Sequence, residues 1–136
     1  MSHAALWNAP ISNTRRRAGT VMAGLAILFL LFDAFGKVIR LAPVVEGTAR
    51  LGYPEGSILA IGLVELACVI AYAVPRTSVL GAILLTGYLG GAVATHVRIG
   101  SPLLTHVLFP VYVAVLVWGG LCLREDRLSE LLLLRR

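Results

Sequence analysis

The run GSILAIGLVELACVIAYAV, residues 56–74, has 19 residues and one formally charged side chain, Glu65, close to its middle. At about 1.5 Å per residue, a helix of this length extends roughly 28 Å, enough to cross the hydrocarbon core of a bilayer. A carboxyl group at that depth costs about 2.5–3.5 kcal/mol on insertion scales, so we expect it to face protein groups or water rather than lipid. This cost makes Glu65 the first candidate for a functional residue.

Three further stretches, residues 18–36, 77–97 and 103–123, are also apolar and about one bilayer thick. Of the 136 residues 58% are hydrophobic and 14% are charged, whereas soluble domains have about 25% charged residues. The mean hydropathy is +0.87. The sequence therefore predicts an all-α integral membrane protein, a four-helix antiparallel bundle. The alternative is a water-soluble bundle, which would need charged outer helix faces that these stretches lack.

Four spans with short links use almost the whole chain, so we predict a single membrane domain. Its predicted boundaries are a mobile N-terminal tail (1–14), the four-span domain (15–123) and a cytoplasmic amphipathic tail (124–136). A cleaved signal peptide in the first span is the alternative. However, Asp33-Ala34-Phe35-Gly36 is a poor small-x-small cleavage site, and cleavage would leave an odd number of spans.

The net charge of +5 indicates membrane topology rather than nucleic-acid binding. Basic residues lie before the first span, between the second and third, and after the fourth: Arg15, Arg16, Arg17, Arg76, Arg124, Arg127, Arg135 and Arg136. The other side has Lys37, Arg40, Arg50 and Arg98. The positive-inside rule then places both termini in the cytoplasm of a multi-pass protein of the inner (plasma) membrane.

With this topology the ionisable side chains of the spans lie in the outer half of the membrane. We predict an outward-facing polar pocket formed by two sets of residues. The candidates for acid–base chemistry are Glu65, Asp33 and His96, and the candidates for ligand binding are Tyr88, Lys37, Arg98 and His106. Helical spacing supports part of this prediction, because Tyr88 and His96 share one face of the third span.

Structural roles are the alternative for most of these residues. Asp33 and Lys37 have the i,i+4 spacing of an ion pair at a helix end. His106 would serve as an interfacial cap and Arg98 as an interfacial anchor. We predict no metal site, since neither H-x-x-H nor H-E-x-x-H occurs.

Two further features concern packing. Gly87 and Gly91 have the small-xxx-small spacing that lets membrane helices approach closely, and we expect them to pack inside the bundle rather than against a second copy. Pro110 should kink the fourth span. Residues 42–54 are expected to form a solvated loop, with a short surface helix or a lid as the alternative.

The chain resembles the DoxX-like family of small four-helix membrane proteins. The resemblance rests on Asp33-Ala34-Phe35-Gly36-Lys37 at the end of the first span, the acid in Gly62-Leu63-Val64-Glu65, and the third span ending Gly91-Ala92-Val93-Ala94-Thr95-His96. It implies a compact bundle associated with membrane redox systems, since the family's name comes from a thiosulfate–quinone oxidoreductase. Quinone is thus a cofactor or ligand implied by the resemblance alone.

Three functions are consistent with the sequence. The first is a protein whose pocket binds a small lipophilic molecule such as a quinone, or which is an accessory subunit docking a membrane redox partner. The second is a small enzyme that transfers protons on a lipophilic substrate, as an isomerase does. The third is a structural assembly factor that packs on another protein through Gly87 and Gly91.

Overall fold

A computed structural model describes residues 11–128. Within this range the chain forms five α-helices, a short helical stretch at residues 126–128 and no β-strand. The helices are α1 (Asn13–Val38), α2 (Ala42–Arg50), α3 (Ile58–Ala73), α4 (Ser78–Arg98) and α5 (Phe109–Arg124). Short turns of 3-10 helix precede α3 and α4, and one turn of π-helix, Leu103–Val107, precedes α5.

Four helical segments are long and apolar enough to cross a membrane. They are Asn13–Val38, Glu55–Ala73, Pro75–Arg98 and Leu103–Arg124. Three of them contain the predicted stretches 18–36, 77–97 and 103–123, and Glu55–Ala73 covers the stretch 56–74 except for Val74. The prediction of an all-α protein with four spans is thus confirmed.

The four long helices pack in a ring, in which α1 and α4 each contact both α3 and α5. Gly81 permits the closest approach between α3 and α4, because a Cβ atom at this position would lie 2.2 Å from the backbone nitrogen of Tyr72. Tyr72 is 1% exposed, and its hydroxyl donates to the carbonyl of Val117 on α5 at 2.7 Å. A tyrosine on α3 thereby links three of the four long helices.

The ring gives the bundle two distinct ends. The end with the described chain termini, here the terminal end, brings the start of α1 beside the end of α5, where Gly19 lies against Gly120. The opposite end, here the α2 end, includes α2, the end of α4 and the π-helical turn. Large apolar side chains such as Leu28 and Phe32 are 67% and 75% exposed on the outside of the ring. Such surfaces suit contact with lipid rather than with water.

The structure corrects two expectations. Residues 42–50 form a helix rather than a plain loop, with Pro43 in the first turn of α2. Cβ atoms at Gly87, Gly90 and Gly91 would meet nothing within 4 Å, so the expected packing of this motif inside the bundle is wrong.

The fourth span is interrupted next to Pro110, where the sequence predicts a kink. The chain changes there from a π-helical turn, Leu103–Val107, through a bend at Leu108 to α-helix. Pro110 lies in the first turn of α5, where its missing N–H costs little. The predicted tails 1–14 and 124–136 lie largely outside the described residues, and the domain boundaries remain predictions.

Candidate functional site

Lys37 is the centre of a buried charge cluster between α1 and α3. Its Nζ donates to Oδ2 of Asp33, one turn earlier on α1. The same Nζ donates to Oε2 of Glu65 on α3 at 2.9 Å. The sequence predicts the first of these ion pairs from i,i+4 spacing, whereas the second depends on how the two helices face each other.

Tyr88 on α4 completes the cluster. Its hydroxyl donates to Oε2 of Glu65 at 2.9 Å, and Lys37 Nζ lies 6.0 Å from the centre of its ring. That distance is at the outer limit of a cation–π contact. We refer to Asp33, Lys37, Glu65 and Tyr88 as the Lys37 cluster.

A close helix contact places Lys37 beside the acid. A Cβ atom at Gly62 would lie 2.7 Å from Cβ of Lys37 and 3.2 Å from the carbonyl oxygen of Ala34. The absent side chain lets α1 and α3 approach at this level. Glu65 follows Gly62 by three residues and therefore lies on nearly the same face of α3, one turn away. Gly62 in the sequence GLVE is thus part of the geometry of the site.

The cluster extends from a partly exposed acid to a fully buried one. The Asp33 side chain is 37% exposed and the Lys37 side chain 11%, while Glu65 is 0% exposed. Two carboxylates share one ammonium group, so the fully ionised cluster has a formal charge of −1. A buried site with this charge suits a proton or a hydrogen-bond donor from a ligand.

One oxygen of Glu65 has no hydrogen-bond partner within the described residues. Oε2 accepts from both Lys37 and Tyr88, whereas Oε1 is buried and unpaired. Leaving a buried polar atom unsatisfied costs about 1–3 kcal/mol, so such atoms commonly mark a functional site or a bound water. Oε1 is therefore the atom of this cluster that is open to a further partner.

His96 and His106 form a second group at the α2 end. Their ring centres lie 5.7 Å apart. Nδ1 of His96 is 3.0 Å from the Ser101 hydroxyl, and Nδ1 of His106 is 2.8 Å from the Thr105 hydroxyl. His106 is exposed and His96 is half-buried. The two histidines are thus neighbours, as their predicted depth suggests, and their hydrogen bonds are to hydroxyls beside them rather than to Glu65.

Arg98 has a different role in the geometry. Its guanidinium donates to the carbonyl of Leu51, after α2, at 2.6 Å. It also lines a cleft of about 330 Å³ together with Gly52, Tyr53, Ala94 and Thr95. The Tyr53 hydroxyl lies 2.8 Å from the hydroxyl of Thr95, which is buried. Arg98 therefore links the segment after α2 to the end of α4 through a hydrogen bond.

Tyr53 and Thr95 are not among the site residues predicted from the sequence. A weak signal exists, because Tyr53 lies between Gly52 and Pro54 in a polar segment and Thr95 precedes His96. Of the seven predicted site residues, the structure joins four in the Lys37 cluster and two in the histidine pair, and it attaches Arg98 to the α2 segment. Within residues 11–128, no group of three or more His, Cys, Asp or Glu side chains is arranged to hold a metal ion.

Comparison with known proteins agrees with this architecture. The sequence model of the DoxX-like family matches residues 21–120, which contain all four spans in large part and every residue of the Lys37 cluster. No curated protein and no solved structure matches the chain.

Proposed function

Because the chain belongs to the DoxX-like family and buries a lysine between two acids, we propose that it is a membrane protein whose outward-facing polar pocket binds the head group of a small amphiphile. The ligand-contacting residues in this proposal are those of the Lys37 cluster. His96 and His106 line the path from the aqueous side. The protein would act as an accessory to a membrane redox system rather than as its catalytic subunit.

The unpaired Oε1 of Glu65 is the observation that carries this proposal. A carboxylate oxygen accepts hydrogen bonds, so its complement is a hydroxyl or amine of the ligand. Lys37 donates to two carboxylates and its ammonium group has three hydrogens, so one is left for a ligand oxygen. A head group that has both a hydroxyl and an acceptor oxygen fits these two atoms.

The direction of the pocket follows from charge. The excess of arginines at the terminal end favours a cytoplasmic position for both termini, with the four spans antiparallel. The α2 end then faces the outside of the inner (plasma) membrane. Tyr88 and His96 are eight residues apart on α4, about 12 Å along the axis, and Ala92 between them is small. A head group entering between the histidines would meet Tyr88 and Glu65 below.

A quinol is the ligand class that the family resemblance favours. Its hydroxyls are donors suited to Oε1 of Glu65, and its apolar tail would extend along the lipid-facing surface. Quinone binding and a redox partner both rest on the resemblance and on this match of donors to acceptors.

Acid–base catalysis is a second function that one observation favours. Asp33, Lys37 and Glu65 form an unbroken chain of hydrogen bonds from a part-exposed acid to a buried acid. Such a chain can deliver a proton to a substrate at Oε1. The outward-facing Gly87 and Gly91 favour a third function, assembly with another membrane protein.

The test compares Glu65→Gln with Glu46→Gln, in which an exposed acid on α2 undergoes the same change. Each purified protein is titrated with a decyl-chain benzoquinol, and native mass spectrometry identifies any molecule that co-purifies. Loss of one charge-assisted hydrogen bond should weaken binding by about tenfold in Glu65→Gln. Glu46→Gln should bind as the unsubstituted protein does.

Two results would count against the proposal. Equal binding by Glu65→Gln and Glu46→Gln would remove Glu65 from the site. No binding of the benzoquinol by the unsubstituted protein would exclude a quinol as its ligand. The helix content of each variant, measured by circular dichroism, shows that a loss of binding is not a loss of folding.

A further inference from the structure

A polar cleft of about 460 Å³ lies at the terminal end of the bundle. The Lys37 cluster lies nearer the opposite end, the α2 end. This volume is within the range of about 300–1,000 Å³ that is common for ligand pockets. Its walls come from the start of α1, the turn between α3 and α4, and the end of α5. The lining residues are Ile11, Asn13, Arg16, Pro75, Ser78, Leu121, Arg124 and Glu125.

The charge of this cleft is positive. Two guanidinium groups, of Arg16 and Arg124, and one carboxylate, of Glu125, give the lining a net charge of +1. Arg124 is anchored, because its Nε donates to the carbonyl of Gly120 at 3.0 Å. No hydrogen bond or ion pair within residues 11–128 holds the guanidinium of Arg16. The cleft therefore has one fixed and one free guanidinium group.

The remaining lining residues are suited to an amphiphile. The side chains of Asn13 and Ser78 add polar groups, while Ile11, Pro75 and Leu121 are apolar. The cleft is located where all four candidate spans begin or end. In a bilayer the ends of such spans lie close to the lipid phosphates. Basic pockets between membrane helices at this level bind anionic lipid head groups.

We propose that this cleft binds the phosphate of an anionic phospholipid, with Arg16 and Arg124 as its ligands. Guanidinium groups pair with phosphate oxygens through charge-assisted hydrogen bonds, often two at once. The apolar residues of the lining contact the first carbons of the acyl chains. Inorganic phosphate offers the same chemistry from water, so the experiment must separate these two sources. This site is independent of the function proposed for the Lys37 cluster.

The test uses Arg16→Gln and its neighbour Arg17→Gln, which removes the same charge from the same end but outside the cleft. Full-length protein in detergent micelles is titrated with dioleoylphosphatidylglycerol, dioleoylphosphatidylcholine or inorganic phosphate. Thermal unfolding and native mass spectrometry report binding. Phosphatidylglycerol should raise the melting temperature of the unsubstituted protein and of Arg17→Gln more than phosphatidylcholine does.

In Arg16→Gln the apparent affinity for phosphatidylglycerol should fall by about tenfold, and Arg16→Lys should recover part of it. An equal loss in Arg16→Gln and Arg17→Gln would overturn the proposal, since it would indicate diffuse attraction to a basic surface. Equal shifts with the two lipids would also overturn it. A shift with inorganic phosphate as large as with phosphatidylglycerol would support the phosphate site and identify free phosphate as its ligand.

Discussion

At the scale of single residues, Lys37 determines whether Glu65 can be buried. The lysine is the cation that offsets a carboxylate with no solvent exposure, and it does so from a different helix. Its i,i+4 contact with Asp33 is readable in the sequence, but its contact with Glu65, 28 positions away, is not. The expectation that Glu65 faces protein or water rather than lipid agrees with its burial, whereas no local sequence pattern identifies Lys37 as its partner.

Removal of this lysine should strongly destabilise the protein. Lys37→Met leaves Glu65 as an uncompensated buried charge, for which we expect a loss of about 3–5 kcal/mol in the free energy of unfolding. The double variant Lys37→Met/Glu65→Leu should recover most of the loss, because replacing both partners by apolar groups is often nearly neutral. Denaturation of the purified proteins in mixed micelles measures both.

The exposed ion pair Arg40–Glu55, at 3.5 Å, provides the control. Glu55→Gln should change stability by less than about 1 kcal/mol, since exposed pairs contribute little. If Lys37→Met lowered the free energy of unfolding as little as Glu55→Gln does, Lys37 would not be needed to stabilise the buried Glu65. The ion pair would then not explain why Glu65 can be buried.

At the scale of helices, two kinds of glycine on α4 differ in what they face. Gly81 allows the backbone of α3 to approach, whereas Gly87 faces open space. Local sequence cannot separate them, because both lie in similar apolar surroundings. The sequence predicts that the Gly87–Gly91 motif packs inside the bundle. In the structure α4 is rotated about its axis so that this motif faces outward.

Alanine at these two glycines should therefore have opposite effects. A Cβ at position 81 would lie 2.2 Å from the backbone nitrogen of Tyr72. No change of side-chain rotamer can relieve this clash, because the nitrogen belongs to the backbone. We expect Gly81→Ala to cost about 3 kcal/mol or more. Gly87→Ala should be neutral or stabilising by up to about 1 kcal/mol, since alanine favours helix. Thermal unfolding of the two purified variants measures the difference.

A result in which both glycine variants unfold alike would contradict the described α3–α4 contact. A Gly87→Ala protein that is stable when purified but no longer co-purifies with a partner would instead support the assembly function.

At the scale of the whole molecule, the two ends differ in chemistry. The α2 end has the histidine pair and the Tyr53–Thr95 contact, and the terminal end has the polar cleft lined by Arg16 and Arg124. Between them lie the Lys37 cluster and an apolar core, in which the Tyr72 hydroxyl donates to the carbonyl of Val117. Because charge bias sets orientation in a membrane, we predict that the α2 end faces outward.

Cysteine accessibility tests this orientation. Glu46→Cys places a thiol on exposed α2, and Glu125→Cys places one at the exposed end of α5. A membrane-impermeant maleimide should label Glu46→Cys in intact cells and Glu125→Cys only after permeabilisation. The unsubstituted chain, with its native Cys68 and Cys122, measures the background. Labelling of Glu125→Cys in intact cells would reverse the predicted topology and with it the outward direction of the pocket.

The sequence by itself determined that this is an all-helical membrane protein with four spans, and that Glu65 should face protein or water rather than lipid. Length, hydropathy and the cost of a charge in lipid are properties of one segment at a time. Only the tertiary structure decided that Lys37 contacts Glu65, that Arg98 donates to Leu51 after α2, and that Gly87 faces outward. The physical reason is that each helix can rotate about its own axis. Which face of a uniformly apolar helix points inward depends on shape complementarity with the neighbouring helices. The sequence of one segment does not contain that information.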